Sequence, residues 1–148
     1  MKHIITNNFE ETQKLGEHFA QQLRGGEVVA LYGNLGSGKT TFMQGLAHGL
    51  GIKRDIISPT FIIMRTYEIK EKGKSVKGEV LKNLYHVDLY RIESEDDVES
   101  LGLLELLNQP ENIVAIEWPD KIENILPEKR IDIYFEYLEG DKRQITIG

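Results

Sequence analysis

The apolar positions of this chain change their spacing several times, and each change marks an element. "KHIIT" at 2–6 suits a short first strand. In "NNFEETQKLGEHFAQQLRGG" at 7–26, Leu15, Phe19 and Leu23 recur every four residues, which predicts an amphipathic helix. Asn8 followed by Glu11 makes a capping box, and Gly25 with Gly26 supplies the stop. "EVVALYG" at 27–33 is apolar without alternation, as expected of a strand buried on both faces. In "KTTFMQGLAHGLG" at 39–51, Phe42, Met43, Leu46, Ala47 and Leu50 share one helical face that closes on Gly51.

Further along, "TFIIMRTYEI" and "LKNLYHVDLYRI" are β-rich runs on either side of a lysine-rich connection, and they predict a hairpin. "DDVESLGLLELLN" reads as a helical region ended by Pro110. "NIVAIEW" is another buried strand, halted by Pro119, and "RIDIYFEYLEGDKRQITI" predicts a terminal antiparallel hairpin. Alternating helices and strands with antiparallel additions indicate an α/β sandwich with a mixed parallel/antiparallel sheet. With 148 residues, the expectation is one domain over 1–148.

Composition narrows the field. There is no cysteine, so disulfides and thiolate metal sites are excluded. The histidines at 3, 18, 48 and 86 lack paired zinc-ligand spacing. No apolar run approaches the roughly 20 residues that span a bilayer, and "MKHIITNNFEE" lacks the apolar stretch of a signal peptide. The expected location is therefore the cytoplasm, with no membrane partner. A net charge of −6 argues against nonspecific nucleic-acid binding by the chain as a whole. Lys70, Lys72, Lys74, Lys77 and Lys82 form a local basic cluster, best read as a solvated hairpin connection, and Glu93, Glu95, Asp96, Asp97 and Glu99 as a solvated helix face.

The chemistry begins at "GNLGSGKT", residues 33–40, which fits G-x-x-x-x-G-K-[ST] between a buried strand and an amphipathic helix. At ordinary residue frequencies a chance match in such a chain is roughly one in 200, so the motif carries weight. Gly33, Gly36 and Gly38 let successive backbone N–H groups face one concavity, and the helix adds its positive end. The loop Gly33, Asn34, Leu35, Gly36, Ser37, Gly38, with Lys39, Thr40 and Thr41, is the expected seat of a nucleoside triphosphate. Lys39 would contact the β- and γ-phosphates and the Thr40 hydroxyl would ligate Mg²⁺. The fold class is accordingly a P-loop NTPase-like three-layer sandwich.

Hydrolysis needs further groups: a carboxylate for the metal and another to position water. Parallel sheets place ligands beyond their strand C-termini, so Glu117 at the end of "IVAIE" is a candidate metal ligand and Asp88 in "HVDLYR" a candidate catalytic group beside Lys39. If 81–92 is a strand, His86, Asp88 and Tyr90 share one face, and Tyr85, Val87 and Leu89 the other. "SPTF" at 58–61 offers Ser58 and Thr60 as a switch element, or a proline turn opening a strand. Trp118 adjoins Glu117 and either stacks on a base or packs. Arg91 either neutralises charge or forms an ion pair. The segment near Thr6 and Thr12 would pack over the base.

In that order and spacing, "GNLGSGKT", "SPTF", "HVDLYR" and "IEWP" resemble the TsaE family, also called YjeE, and "ETQKLG" and "GEVVALYG" are similar too. The resemblance covers nearly the whole chain. It implies a bacterial ATPase needed for N6-threonylcarbamoyladenosine at position 37 of tRNAs that read ANN codons. The implied partners are TsaD, the transferase, and TsaB, with tRNA contacted indirectly; the implied cofactors are ATP and Mg²⁺. By the same resemblance, Lys39 and Thr40 serve phosphate and Mg²⁺, Asp88 catalysis, Glu117 the metal and Thr60 a switch-like loop, with Trp118 near the nucleotide or the partner surface. Two matters stay open at this level: the division of roles between Asp88 and Glu117, and whether turnover or ATP binding alone matters. A regulatory GTPase is disfavoured because no N-K-x-D stretch is present, and a small-molecule kinase because the arginines, at 24, 54, 65, 91, 130 and 143, are scattered rather than gathered in a lid.

Overall fold

The structure, a computed structural model, describes residues 1–56, 63–69 and 81–148. Among these the elements are β1 Lys2–Thr6, α1 Phe9–Ala20, β2 Val28–Tyr32, α2 Lys39–Gly49, β3 Met64–Glu68, β4 Asn83–Asp88, α3 Glu95–Glu99, α4 Leu103–Leu106, β5 Asn112–Glu117, a 3₁₀ segment Pro119–Ile125, β6 Ile131–Tyr137 and β7 Arg143–Ile147. The strands form one sheet in the order β1-β7-β6-β2-β5-β4-β3. β6, β2, β5 and β4 run parallel. β3, β7 and β1 pair antiparallel to their neighbours, which gives the two expected hairpins, β3–β4 and β6–β7. The sheet is mixed, as the sequence predicts.

Both faces of its middle are covered, which is why β2 and β5 read as unbroken apolar runs. On one face α1 and α2 bury Phe19, Phe42 and Leu46 against Leu31, Ile133 and Ile145. On the other, Val98, Leu103 and Ile122 cover Val87, Val114 and Ile116. Each such side chain contributes about 1.5–3 kcal/mol of burial, and the result is three layers. The two long helices meet through glycines. A Cβ on Gly16 would stand 2.3 Å from the Phe42 carbonyl oxygen, and one on Gly45 1.9 Å from that of Gln13. Backbone thus lies directly on backbone and fixes where the N-terminus of α2 sits.

Some local expectations shift. Asn8 caps α1 by accepting the Glu11 N–H at 2.9 Å, but the Glu11 carboxylate takes the Asn7 N–H at 2.8 Å, one residue further back than a capping box requires. The helical region 96–108 is two short pieces, because Gly102 adopts φ +73 between them. β4 ends at Asp88, so Tyr90 lies in the turn beyond it. Its Tyr85 and Val87 do face the second core, whereas His86, expected on a polar row, is fully buried, with its Nε2 on the buried Glu117 carboxylate of the neighbouring strand. "SPTF" and Lys70, Lys72, Lys74 and Lys77 lie outside the described residues. No described helix is long and apolar enough to cross a membrane.

Candidate functional site

The loop after β2 leads into α2 through Gly38, whose φ of +107 is open to glycine at little cost. No side chain caps α2 and no acidic residue occupies its first turn. Its N-terminal N–H groups are therefore not supplied with a protein carboxylate, which is the condition of an anion seat. Within the loop, the Ser37 N–H donates to the Asn34 carbonyl at 3.1 Å, and Ser37 itself is buried.

Sheet register brings the acidic residues to this loop. Glu117 ends β5 opposite Leu31 of β2 on one side and Asp88 of β4 on the other. The two carboxylates and the loop therefore share the C-terminal edge of the parallel strands, where open α/β sheets hold ligands. There a cleft of about 530 Å³ is lined by Leu35, Gly36, Gly38, Lys39, Thr40 and Thr41 on the loop side. Asp88, Glu117 and Trp118 line it on the strand side, joined by Tyr90, Arg91, Phe9 and Arg143. Gly33, Asn34 and Ser37 are not among its lining residues.

Lys39 is only 5% exposed. Its Nζ donates to the Gly33 carbonyl at 2.6 Å and lies 4.1 Å from the centroid of the Trp118 ring. Burial holds its pKa below the ordinary lysine value, and the nearby charges of Glu117, Asp88 and Asp120 oppose that shift. Glu117, 3% exposed, accepts from Nε2 of His86 at 2.5 Å. The Nδ1 of His86 has no hydrogen-bond partner among the described residues. Asp88 accepts the Tyr90 N–H at 3.0 Å. Trp118 sits at φ +58, ψ +49, a left-handed conformation that costs a side-chain-bearing residue about 1–2 kcal/mol. Its ring rests on Tyr90, centroids 4.9 Å apart. Such strain is held where surrounding contacts over-determine it, and it clusters at functional sites.

Thus Lys39, Thr40 and Thr41, Asp88, and Glu117 with Trp118, three separate stretches of sequence, meet in one cleft, while Ser58 and Thr60 lie outside the described residues. Thr6 and Thr12, near which the N-terminal segment is expected to pack over the base, do not themselves line the cleft. Both are buried, and their hydroxyls bond each other at 2.7 Å. Phe9, between them in sequence, is the residue of that segment that reaches the cleft. Sequence reasoning also passed over His86 as a partner for Glu117 and Arg143 as a neighbour of the loop. Alternation along β4 offered a signal for the first; nothing local signalled the second.

The donor set fits a hard cation and a polyphosphate. No cluster of three His, Cys, Asp or Glu side chains that could hold a metal ion occurs among the described residues. Mg²⁺ commonly takes one or two protein oxygens and completes its shell with phosphate and water. Thr40 and Glu117 offer that number on this cleft, next to a buried ammonium.

The chain is similar to known proteins over nearly its whole length. The family model described as threonylcarbamoyl adenosine biosynthesis protein TsaE matches residues 6–145. The tRNA threonylcarbamoyladenosine biosynthesis protein TsaE of Bacillus subtilis (strain 168) is 39% identical, over 95% of this chain and 81% of its own length. The protein of that name from Aquifex aeolicus (strain VF5) is 38% identical, over 99% of this chain and 96% of its own. A crystal structure of Bacillus subtilis YdiB matches with a TM-score of 0.76 at 33% identity, covering 99% of this chain and 83% of that one.

Proposed function

The chain belongs to the TsaE family, and from that premise and the cleft we propose that it is a cytoplasmic Mg²⁺-dependent ATPase serving the threonylcarbamoyl modification of tRNA adenosine together with TsaB and TsaD. The observation that carries this reading is the register that sets Glu117 between Leu31 and Asp88, directly beside the glycine loop. The loop amides and the α2 N-terminus receive the phosphates. Lys39 exchanges the Gly33 carbonyl for β- and γ-phosphate oxygens. Thr40 and Glu117 hold the metal, and the His86 bond to one Glu117 oxygen leaves the other for that task. When bound, Mg²⁺ neutralises charge on the transferring phosphoryl group. Asp88, less deeply buried than Glu117, orients the attacking water and accepts its proton. The net charge of −6 favours indirect rather than direct contact with tRNA.

The deciding experiment is ATP turnover by the purified chain with and without Mg²⁺, alone and with the TsaB–TsaD pair. Slow Mg²⁺-dependent turnover that rises with the pair is the expected result. Asp88→Ala should keep ATP binding and lose turnover and tRNA modification. If the variant still supports modification, ATP binding alone suffices and the chain is a nucleotide-gated assembly factor.

A further inference from the structure

Arg143 opens β7, paired in register with Thr6 of β1 and Tyr137 of β6. It is 7% exposed and 107 positions distant from the loop residue it touches. Nη2 donates to the Gly36 carbonyl at 3.0 Å, and Nη1 to the carbonyls of Gly140 at 2.9 Å and Lys142 at 3.0 Å. The guanidinium lies 4.8 Å from the centroid of the Tyr137 ring. Its Cγ comes within 3.5 Å of where a Gly38 Cβ would stand. One planar group therefore ties the tip of the phosphate loop to the turn of the C-terminal hairpin.

The tip has little else to hold it. A Cβ on Gly36 would meet nothing within 4 Å, and Leu35 is 70% exposed. The Gly36–Ser37 peptide is fixed at both ends by hydrogen bonds, its N–H to the Asn34 carbonyl and its C=O to Arg143. The Arg143 Nε, buried against the loop, has no hydrogen-bond partner among the described residues. An N–H buried without an acceptor is costly, and this one lies beside the loop, 3.8 Å from where a Gly38 Cβ would stand.

We propose that Arg143 is a positioning residue that braces the phosphate loop in its anion-receiving shape before any nucleotide arrives, which makes the C-terminal hairpin part of the nucleotide site. The affinity part of this inference rests on the nucleotide reading above; the brace itself does not. A fork of donors is required, because an ammonium on a flexible stem cannot span the loop and hairpin carbonyls in one plane.

The test uses the full chain with Arg143→Met, which keeps the stem, and Arg143→Lys, which keeps the charge. Amide hydrogen exchange is measured on the ligand-free proteins, followed by calorimetric titration with Mg·ADP and Mg·ATP. Arg143→Met should speed exchange at residues 34–38 about tenfold or more while β2 and β5 keep their protection, and weaken both nucleotides about 10- to 100-fold. Arg143→Lys should restore neither fully. If Arg143→Met does not fold, Arg143→Lys carries the same two readouts. Unchanged loop exchange, or wild-type behaviour of Arg143→Lys, would overturn the brace. Should the wild-type chain bind neither nucleotide, the ATPase reading fails while loop exchange still decides the role of Arg143.

Discussion

The two walls of the cleft are made in opposite ways. The loop wall is one run, Gly33 to Thr41, whose shape comes from its own glycines and from the helix it starts. The facing wall is assembled from β4 and β5, while Arg143 of β7 closes on the loop from the opposite side, and these residues acquire a role only through neighbours far away in sequence: His86 through Glu117, Arg143 through Gly36. A local wall tolerates loss of a side chain; an assembled wall depends on each buried pair. His86→Ala would leave the Glu117 carboxylate buried without its donor and should cost about 3 kcal/mol. Leu35→Ala, on the exposed loop tip, should stay within about 0.5 kcal/mol of wild type. Urea denaturation of both variants measures the contrast, and equal losses would erase it.

The local wall still stands on a support that is not local. Gly45→Ala forces a methyl group into the Gln13 carbonyl, so α1 and α2 must separate. The expected loss is about 2 kcal/mol, read as a lower urea midpoint, with a weaker Mg·ADP affinity because α2 carries Lys39 and Thr40. Stability lost with affinity intact would mean that the loop keeps its shape independently of α1.

Trp118 belongs to both walls, since it follows directly on β5 and underlies Lys39. Its left-handed backbone and its ring contacts can be separated. Trp118→Gly and Trp118→Ala both remove the ring, but only glycine relieves the backbone, so the glycine variant should be the more stable by about 1 kcal/mol. Equal thermal midpoints would show that the backbone conformation at 118 carries no strain.

The same division decides what the sequence made legible. The strand at 28–32 and the helix at 9–20 were readable because burial on two faces, or on one stripe, writes itself into consecutive residues. The loop was readable because its glycines, Lys39 and Thr40 stand in one run of sequence. Glu117 and Asp88 were found as strand-end acids, but their adjacency is a matter of register between β4 and β5. Alternation placed His86 on a face without saying whether that face is covered; in the fold the side chain is fully buried against Glu117. The break at Gly102 was hidden by apolar residues that continue on either side of it. Arg143 carries no local mark at all, since its partner carbonyls are generic and the one on the loop lies across most of the chain.

The smallest expected effect concerns Lys39 itself. Burial lowers its pKa from 10.5, and the surrounding carboxylates recover only part of that shift. A lysine depressed in the fold disfavours its own charged form there. Its contribution to folding stability is therefore unfavourable at neutral pH and improves as pH rises through the lowered value toward 10.5. A bound polyphosphate acts in the opposite sense, restoring the ammonium and raising the pKa. ADP affinity should accordingly be full below the free-protein pKa of Lys39 and decline as pH rises through it. Lys39→Met should bind weakly with no such decline, while its ligand-free form is no less stable than wild type at neutral pH. Calorimetric titration of ADP from neutral pH to 10.5, on both proteins, measures this. A decline of the same size in Lys39→Met would assign the titration to another group and leave the buried ammonium without the cost that its phosphate-binding role implies.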